Sequence, residues 1–138
     1  MSALFSTTVS VTGGREGKAT SADGRFTQVL SLPKELGGPG GDGTNPEQLF
    51  AAGYAACFES ALRLVARLQK TAVSNVHITA TVTLSKTADG KFQLGVDLLG
   101  KIEGVTPEVA RGLMDAAHAV CPYSQATRGN IEVTLRTE

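Results

Sequence analysis

The chain has 138 residues, and its 13 basic residues balance its 13 acidic ones. This length is typical of one domain that buries its own core, so we expect a single domain over residues 1–138 without disulfide or metal staples. No run of like charge is present, which argues against nucleic acid or an anionic membrane as a partner. The apolar stretch from Gln48 to Phe58 is too short to span a bilayer, and no secretory leader is visible, so we expect a cytoplasmic protein.

The first part of the chain predicts strands and turns. Residues 4–12 and 25–32 are rich in β-branched and apolar side chains, and Gly13-Gly14 and Asp23-Gly24 are typical turn pairs. The glycine-rich stretch 37–43 lacks the ending of a phosphate-binding loop. It predicts a mobile lid or a plain connecting loop.

A long helix is predicted after this loop. Thr44 or Asn45 can cap it, Pro46 suits its first position, and Glu47 places a carboxylate where the helix dipole favours one. No proline interrupts the pattern before about Gln69, so we expect the helix to continue to that point.

The apolar face of this helix carries one of the two cysteines. Apolar and small residues recur at helical spacing, and they are Leu49, Phe50, Gly53, Ala56, Cys57, Ala61, Leu64, Val65 and Leu68. The pattern places Cys57 on the buried side. Because Gly53 costs the helix about 1 kcal/mol relative to alanine, we expect another backbone to approach closely there, from a helix partner or a second subunit.

Alternating segments follow. Apolar side chains occupy every second position in residues 75–85 and again in 92–98, and Ala88-Asp89-Gly90 suits the turn of a hairpin between them. Strands that are neighbours in sequence can pair antiparallel, so the order of strands, helix, hairpin, helix and strand predicts an α+β fold.

The second helix has clear start and stop signals. Thr106 and Pro107 form a cap and a first turn, and Cys121-Pro122 should end the helix because the residue before proline avoids helical angles. The apolar stripe of this helix comprises Val109, Leu113, Met114 and Ala117. The chain closes with a strand whose inward side chains are Ile131, Val133 and Leu135.

The two cysteines are placed differently, which suggests different roles. Cytoplasmic thiols are mostly kept reduced, so a catalytic or sensing pair is favoured over a structural bridge. Burial within a helix raises the pKa of a thiol, so a reactive Cys57 needs a cation delivered from elsewhere. We expect Arg63 and Arg67 to point elsewhere or lie too far along the helix, and Arg15, in a glycine-flanked turn, is a candidate. Cys121 follows a helix C-terminus, which disfavours a thiolate and suits a resolving cysteine.

Simpler interpretations exist for each of these residues. A buried cysteine is usually a small apolar side chain, a turn arginine is usually solvated, and a first-turn glutamate such as Glu47 usually serves the helix dipole. His118 near a helix end is expected to compensate the dipole, and His77 falls on the polar face of a strand. The cysteines and histidines lack the short paired spacings of a zinc site, so no metal is expected.

Three segments carry a resemblance to a known family. They are VTGGREGKA at 11–19, NPEQLFAAGYAACFESAL at 45–62 and CPYSQATRGNIEV at 121–133. Together, in this order, they resemble the organic hydroperoxide resistance proteins, the Ohr branch of the Ohr/OsmC family. The resemblance implies an intertwined homodimer in which antiparallel sheets wrap a long central helix.

The resemblance also implies the site and its chemistry. Cys57 would be the peroxidatic cysteine, Cys121 the resolving cysteine, and Arg15 and Glu47 the charged pair around the active thiol. The implied activity is thiol-dependent reduction of organic hydroperoxides to alcohols, through a Cys57 sulfenic acid and a Cys57–Cys121 disulfide. A lipoylated protein or a similar dithiol would recycle the enzyme, and no cofactor is needed.

Glu47 and Cys57 are ten residues apart on one helix, a rise of about 15 Å. Side chains lean toward the helix N-terminus, so Glu47 leans away from Cys57. We therefore expect Arg15 and Glu47 to reach the thiol of the partner subunit.

Two other functions stay open. The protein can be a redox-responsive binding protein for an apolar ligand, or a structural dimer with inert cysteines. The sequence also leaves open whether the preferred hydroperoxide is a lipid or a small alkyl compound.

Overall fold

The structure, a computed structural model, describes every residue from Met1 to Glu138. The chain forms two compact units, Met1–Leu49 and Phe50–Glu138, and the long helix α1 (Pro46–Leu68) begins in the first and continues through the second. Each unit contains a three-stranded sheet, which confirms the α+β class. The expected single domain over residues 1–138 stays a prediction.

The first unit contains an antiparallel sheet of β1 (Val9–Thr12), β2 (Lys18–Ser21) and β3 (Thr27–Val29), paired in that order. Val11 lies opposite Ala19, and Ala19 lies opposite Gln28. The sequence pattern predicts β1 and β3 within longer segments but misses β2. Four residues with one apolar side chain are too few to show alternation.

The turn between β1 and β2 is a single 3-10 turn, Gly14–Glu16, that carries Arg15. Gly13 has a left-handed φ of 79°, which favours glycine. A Cβ on Gly17 would lie 1.6 Å from the carbonyl oxygen of Thr12, so only glycine fits beside that strand. The two glycines therefore determine where the arginine is presented.

Helix α1 begins as the sequence predicts. The Asn45 side chain accepts the Gln48 N–H at 2.8 Å, and Pro46 occupies the first helical position. The buried face differs from the predicted stripe, because Leu64 and Leu68 are exposed. The buried residues of the helix are Tyr54, Phe58, Ala61, Leu62, Val65 and Ala66.

The second unit contains a sheet of three strands. Strands β4 (Asn75–Lys86) and β5 (Phe92–Glu103) form the predicted hairpin, with Ile78 opposite Gly100. Strand β6 (Val133–Thr137) pairs with β5 in parallel, so the expectation of purely antiparallel sheets is wrong for this strand. Parallel pairing follows from the helical crossover that joins the two strands.

That crossover consists of α2 (Pro107–Val120) and α3 (Pro122–Thr127). Thr106 caps α2 by accepting the Val109 N–H at 3.2 Å, as predicted. The sequence pattern places the end of α2 correctly but misses α3. The side chains that α2 buries are Ala110, Leu113, Met114 and Ala117.

The core of the second unit lies between α1, α2 and the sheet. Its largest fully buried apolar side chains are Phe58, Leu62, Leu98, Leu113 and Met114. A Cβ on Gly100 would lie 2.4 Å from the Met114 sulfur, so a larger residue there would force the Met114 side chain to move. Removing one of these large apolar side chains would cost roughly 2–5 kcal/mol.

Helix α1 has 23 residues and a mean hydropathy of 1.3 over its most apolar part. By length and composition alone it could cross a membrane. The uncharged stretch from Gln48 to Phe58 covers only part of this helix. Glu59 and Arg63 form an ion pair on its surface, while Tyr54 and Phe58 lie in a protein core. This combination is typical of the core helix of a globular unit.

Candidate active site

The two cysteines face each other across α1 and the α2–α3 junction. The sulfurs of Cys57 and Cys121 are 3.7 Å apart, and both are free thiols. Cys121 is both the C-cap of α2 and the N-cap of α3, in an extended conformation that Pro122 requires. A disulfide needs about 2.05 Å between the sulfurs, so a small approach would join them.

Cys57 is half-buried and Cys121 is fully buried. Burial raises the pKa of the Cys57 thiol above its ordinary value, and the neighbouring Cys121 thiol raises it further. A hydrogen bond from the Tyr123 backbone N–H acts in the opposite direction, because it favours the thiolate. No cation is among the groups that shift this pKa. The positive charge that a reactive Cys57 needs is therefore still to be supplied.

Cys57 opens into a cavity of about 650 Å³. Its walls combine apolar side chains with two arginines, and the other lining residues are Ser60, Ala61, Arg63, Leu64, Arg67, Val120 and Pro122. Arg63 and Arg67 line the cavity that Cys57 reaches, but neither is among the groups that shift the pKa of Cys57. Arg63 is paired with Glu59, whereas Arg67 forms no salt bridge within the chain.

Arg15 and Glu47 form a two-pronged ion pair in the first unit. One guanidinium nitrogen donates to each carboxylate oxygen, at 2.8 Å and 3.2 Å. The geometry of the β1–β2 turn presents the guanidinium, and the first turn of α1 presents the carboxylate. The structure brings these two predicted residues together. Their action on Cys57, from the same chain or from a partner subunit, stays a prediction.

A series of hydrogen-bonded polar side chains, buried except for the half-buried His118, lies near the cysteines, and the sequence does not reveal it. The Ser124 hydroxyl is 2.8 Å from the Tyr54 hydroxyl and 2.7 Å from Nδ1 of His118. The Tyr54 hydroxyl also lies 3.1 Å from that of Thr127. Burial and the nearby Arg128 charge lower the pKa of His118, against the effect of Asp115. His118 thus contributes a specific side-chain contact, beyond the expected dipole compensation.

A larger apolar cavity of about 860 Å³ is lined in part by Tyr123 and Pro122. Phe50 lines it together with Phe92, Leu94, Ala126 and Ile131, but Cys57 does not. Phe58 and Met114 belong to the core.

Comparison with known proteins identifies close relatives. Residues 38–136 match the family model described as OsmC-like protein. The organic hydroperoxide resistance protein OhrA of Bacillus subtilis is 51% identical over 138 residues, covering 96% of this chain and 94% of that protein. The organic hydroperoxide resistance protein of Xanthomonas axonopodis pv. citri is 50% identical over 133 residues, covering 96% and 93%. A crystal structure of an organic hydroperoxide resistance protein from Legionella pneumophila matches with a TM-score of 0.95 and 49% identity, covering 99% of both chains.

Proposed function

This chain belongs to the OsmC-like family, in its organic hydroperoxide resistance branch, and from this premise we propose that it reduces organic hydroperoxides to alcohols with Cys57 as the attacking thiol. The observation that carries the proposal is the distance of 3.7 Å between the Cys57 and Cys121 sulfurs. Two free thiols at this distance, one half-buried beside a cavity and one fully buried, suit an attacking and a resolving cysteine.

The reaction has three steps. The Cys57 thiolate attacks one peroxide oxygen, the O–O bond breaks, and the departing alkoxide takes a proton and leaves as the alcohol. Cys57 is then a sulfenic acid. The Cys121 sulfur attacks the Cys57 sulfur, an S–S bond forms, the S–O bond breaks, and the hydroxyl leaves as water with the Cys121 proton. An external dithiol reduces the disulfide to two thiols and becomes a disulfide itself.

The cavity beside Cys57 supports the choice of an organic substrate. Ala61, Leu64 and Val120 offer apolar surface next to the sulfur, where the organic part of a hydroperoxide can lie. Hydrogen peroxide has no apolar group to place there. We expect it to react more slowly for that reason.

Activation of Cys57 is assigned to Arg15 and Glu47. Burial opposes the thiolate, so a guanidinium is needed to favour it, and the carboxylate of Glu47 orients that guanidinium. In the proposed homodimer this pair acts on the thiol of the partner subunit. The reductant is a lipoylated protein or another dithiol, and the place of action is the cytoplasm.

The proposal is tested by steady-state consumption of cumene hydroperoxide and of hydrogen peroxide, with dihydrolipoamide and with glutathione as donors. The wild type should turn over repeatedly with the organic peroxide and the dithiol. Cys57→Ser should show no turnover, and Cys121→Ser should be oxidised once and then recycle poorly. Equal turnover by Cys57→Ser and the wild type would exclude Cys57 as the attacking group.

A redox-responsive binding protein is the second candidate, and the separate apolar cavity of about 860 Å³ favours it. A switch of this kind would be oxidised once by a hydroperoxide and would then stop. The same assay separates the two functions, because only an enzyme consumes many equivalents of peroxide per chain when the donor is in excess.

A further inference from the structure

The buried polar side chains near the cysteines form one continuous hydrogen-bonded chain. It runs from His118 on α2 through Ser124 on α3 to Tyr54 on α1, and then back to Thr127 on α3. The Thr127 hydroxyl lies 3.2 Å from the carbonyl oxygen of Ser124 and closes the chain there. Tyr54, Ser124 and Thr127 are buried, and His118 at the end of the series is half-buried.

Counting protons gives the chain a direction. A carbonyl oxygen only accepts, so the Thr127 hydroxyl donates to the carbonyl of Ser124. Thr127 must then accept from Tyr54, and Tyr54 must accept from the Ser124 hydroxyl. Ser124 has no proton left for His118, so Nδ1 of His118 must carry the proton and donate it. Four contacts use four protons, and none is left unpaired.

The chain ties together the segments that carry the two sulfurs. Tyr54 lies three residues before Cys57, one turn away on the same face of α1. His118 and Ser124 lie three residues before and after Cys121. The Cys121 backbone is held by the Ala117 carbonyl and by the Gln125 N–H, so it moves with α2 and α3.

We propose that Tyr54, Ser124 and His118 are positioning residues for disulfide formation, and that they act by holding Cys121 at 3.7 Å from Cys57. This inference rests on the proposed function and concerns its second step. In that step the Cys121 sulfur displaces the hydroxyl of the Cys57 sulfenic acid as water. The first step, attack on the peroxide, depends on Cys57, its activating cation and the backbone N–H of Tyr123. None of these groups donates or accepts a hydrogen bond among the four side chains, so we expect the first step to change little.

The test measures the two steps separately in Tyr54→Phe and Ser124→Ala. The first step is followed by stopped-flow oxidation with one equivalent of cumene hydroperoxide, and the second by the lifetime of the sulfenic acid that dimedone traps. The first rate should stay within about twofold of wild type. The second should slow by about tenfold, the effect of losing one buried hydrogen bond. Ile102→Val removes one methyl group from the core on β5 and changes none of the hydrogen-bonded side chains. It should leave both rates unchanged.

Nitrogen NMR of His118 gives a readout that a loss of packing would not produce. In the wild type the neutral imidazole should carry its proton on Nδ1. In Tyr54→Phe the Ser124 hydroxyl loses its acceptor and can donate to His118, so the proton should move to Nε2. Thr127→Val should produce the same slow second step, and Thr127→Ser, which retains the hydroxyl, should restore it.

The outcomes are distinguishable. If the wild type forms a disulfide and the variants form it equally fast, or if Ile102→Val slows it as much, the positioning role is wrong and the proposed function stands. If His118 carries its proton on Nε2 in the wild type, the hydrogen-bond directions described above are also wrong. If the wild type forms neither sulfenic acid nor disulfide, the proposed function fails and this inference fails with it.

Discussion

Gly53 lies on α1 against the Tyr123 side chain, and replacing it by alanine tests the packing next to Cys57. The added Cβ would lie 2.7 Å from the Tyr123 hydroxyl oxygen and 3.2 Å from two of its ring carbons. The sequence predicts a close approach at Gly53 by another backbone, whereas the structure shows an aromatic side chain. Since normal contact begins near 3.4 Å, the hydroxyl must retreat by about 0.7 Å.

Two opposing contributions determine the stability of Gly53→Ala. The helix gains about 1 kcal/mol because alanine replaces glycine. Tyr123 packs on Tyr54 and Phe50, at ring-centre distances of 5.6 and 6.3 Å, and disturbing such pairs costs about 0.5–1.5 kcal/mol each. Tyr123 is 38% exposed, so the ring can move outward and lose only part of these contacts. The loss of packing should cancel the helix gain, so the net change in the free energy of unfolding should lie between zero and a loss of about 1 kcal/mol.

Activity should change more than stability, because the Tyr123 backbone N–H bonds the Cys57 sulfur. We expect a several-fold loss of organic hydroperoxide turnover, measured beside urea unfolding. Gly112→Ala is the matched control, since it is also helical and no atom lies within 4 Å of the added Cβ. Gly112→Ala should gain about 1 kcal/mol with unchanged turnover. An equal gain in Gly53→Ala, or a loss above about 3 kcal/mol, would refute the reasoning.

Two further predictions concern ion pairs. Arg15→Lys keeps the charge but loses the two-pronged contact with Glu47. Alkylation of Cys57 at neutral pH should therefore slow by roughly tenfold and recover at higher pH. An unchanged pH profile would contradict the role of Arg15 in activating the Cys57 thiol. The hydrogen bond and charge of Arg136 lower the pKa of Asp97, so Asp97→Asn should lose at most about 1 kcal/mol at neutral pH. Urea unfolding should show this stability difference above pH 3.8, the ordinary pKa of an aspartate, and the difference should vanish as the pH falls through the lowered pKa of Asp97. A stability difference that persists in acid would contradict the contribution of the Asp97–Arg136 ion pair.

Local signals in the sequence predict much of the fold. Asn45 and Pro46 determine where α1 begins, the turn at Gly90 pairs β4 with β5, and the Cys121-Pro122 pair ends α2 at Val120. Each is a property of a few adjacent residues. The pattern is therefore readable without knowledge of the rest of the chain.

Other features depend on contacts between distant residues, and the sequence does not predict them. The parallel pairing of β6 depends on the path of two helices, and the exposure of Leu64 depends on which face of α1 meets the sheet. The chain of Tyr54, Ser124 and His118 joins three helices, and each residue alone resembles an ordinary core or helix-end residue. The cysteine roles come from family resemblance, because spacing alone does not reveal that residues 57 and 121 meet.

The central claim is that Cys57 and Cys121 are a redox pair, and mass spectrometry after one equivalent of an organic hydroperoxide tests it most directly. The account predicts that the chain becomes lighter by two hydrogen atoms, that a peptide linked through Cys57 and Cys121 appears, and that dihydrolipoamide reverses both changes. If the mass stays unchanged and both thiols remain available to an alkylating reagent after unfolding, the claim is contradicted.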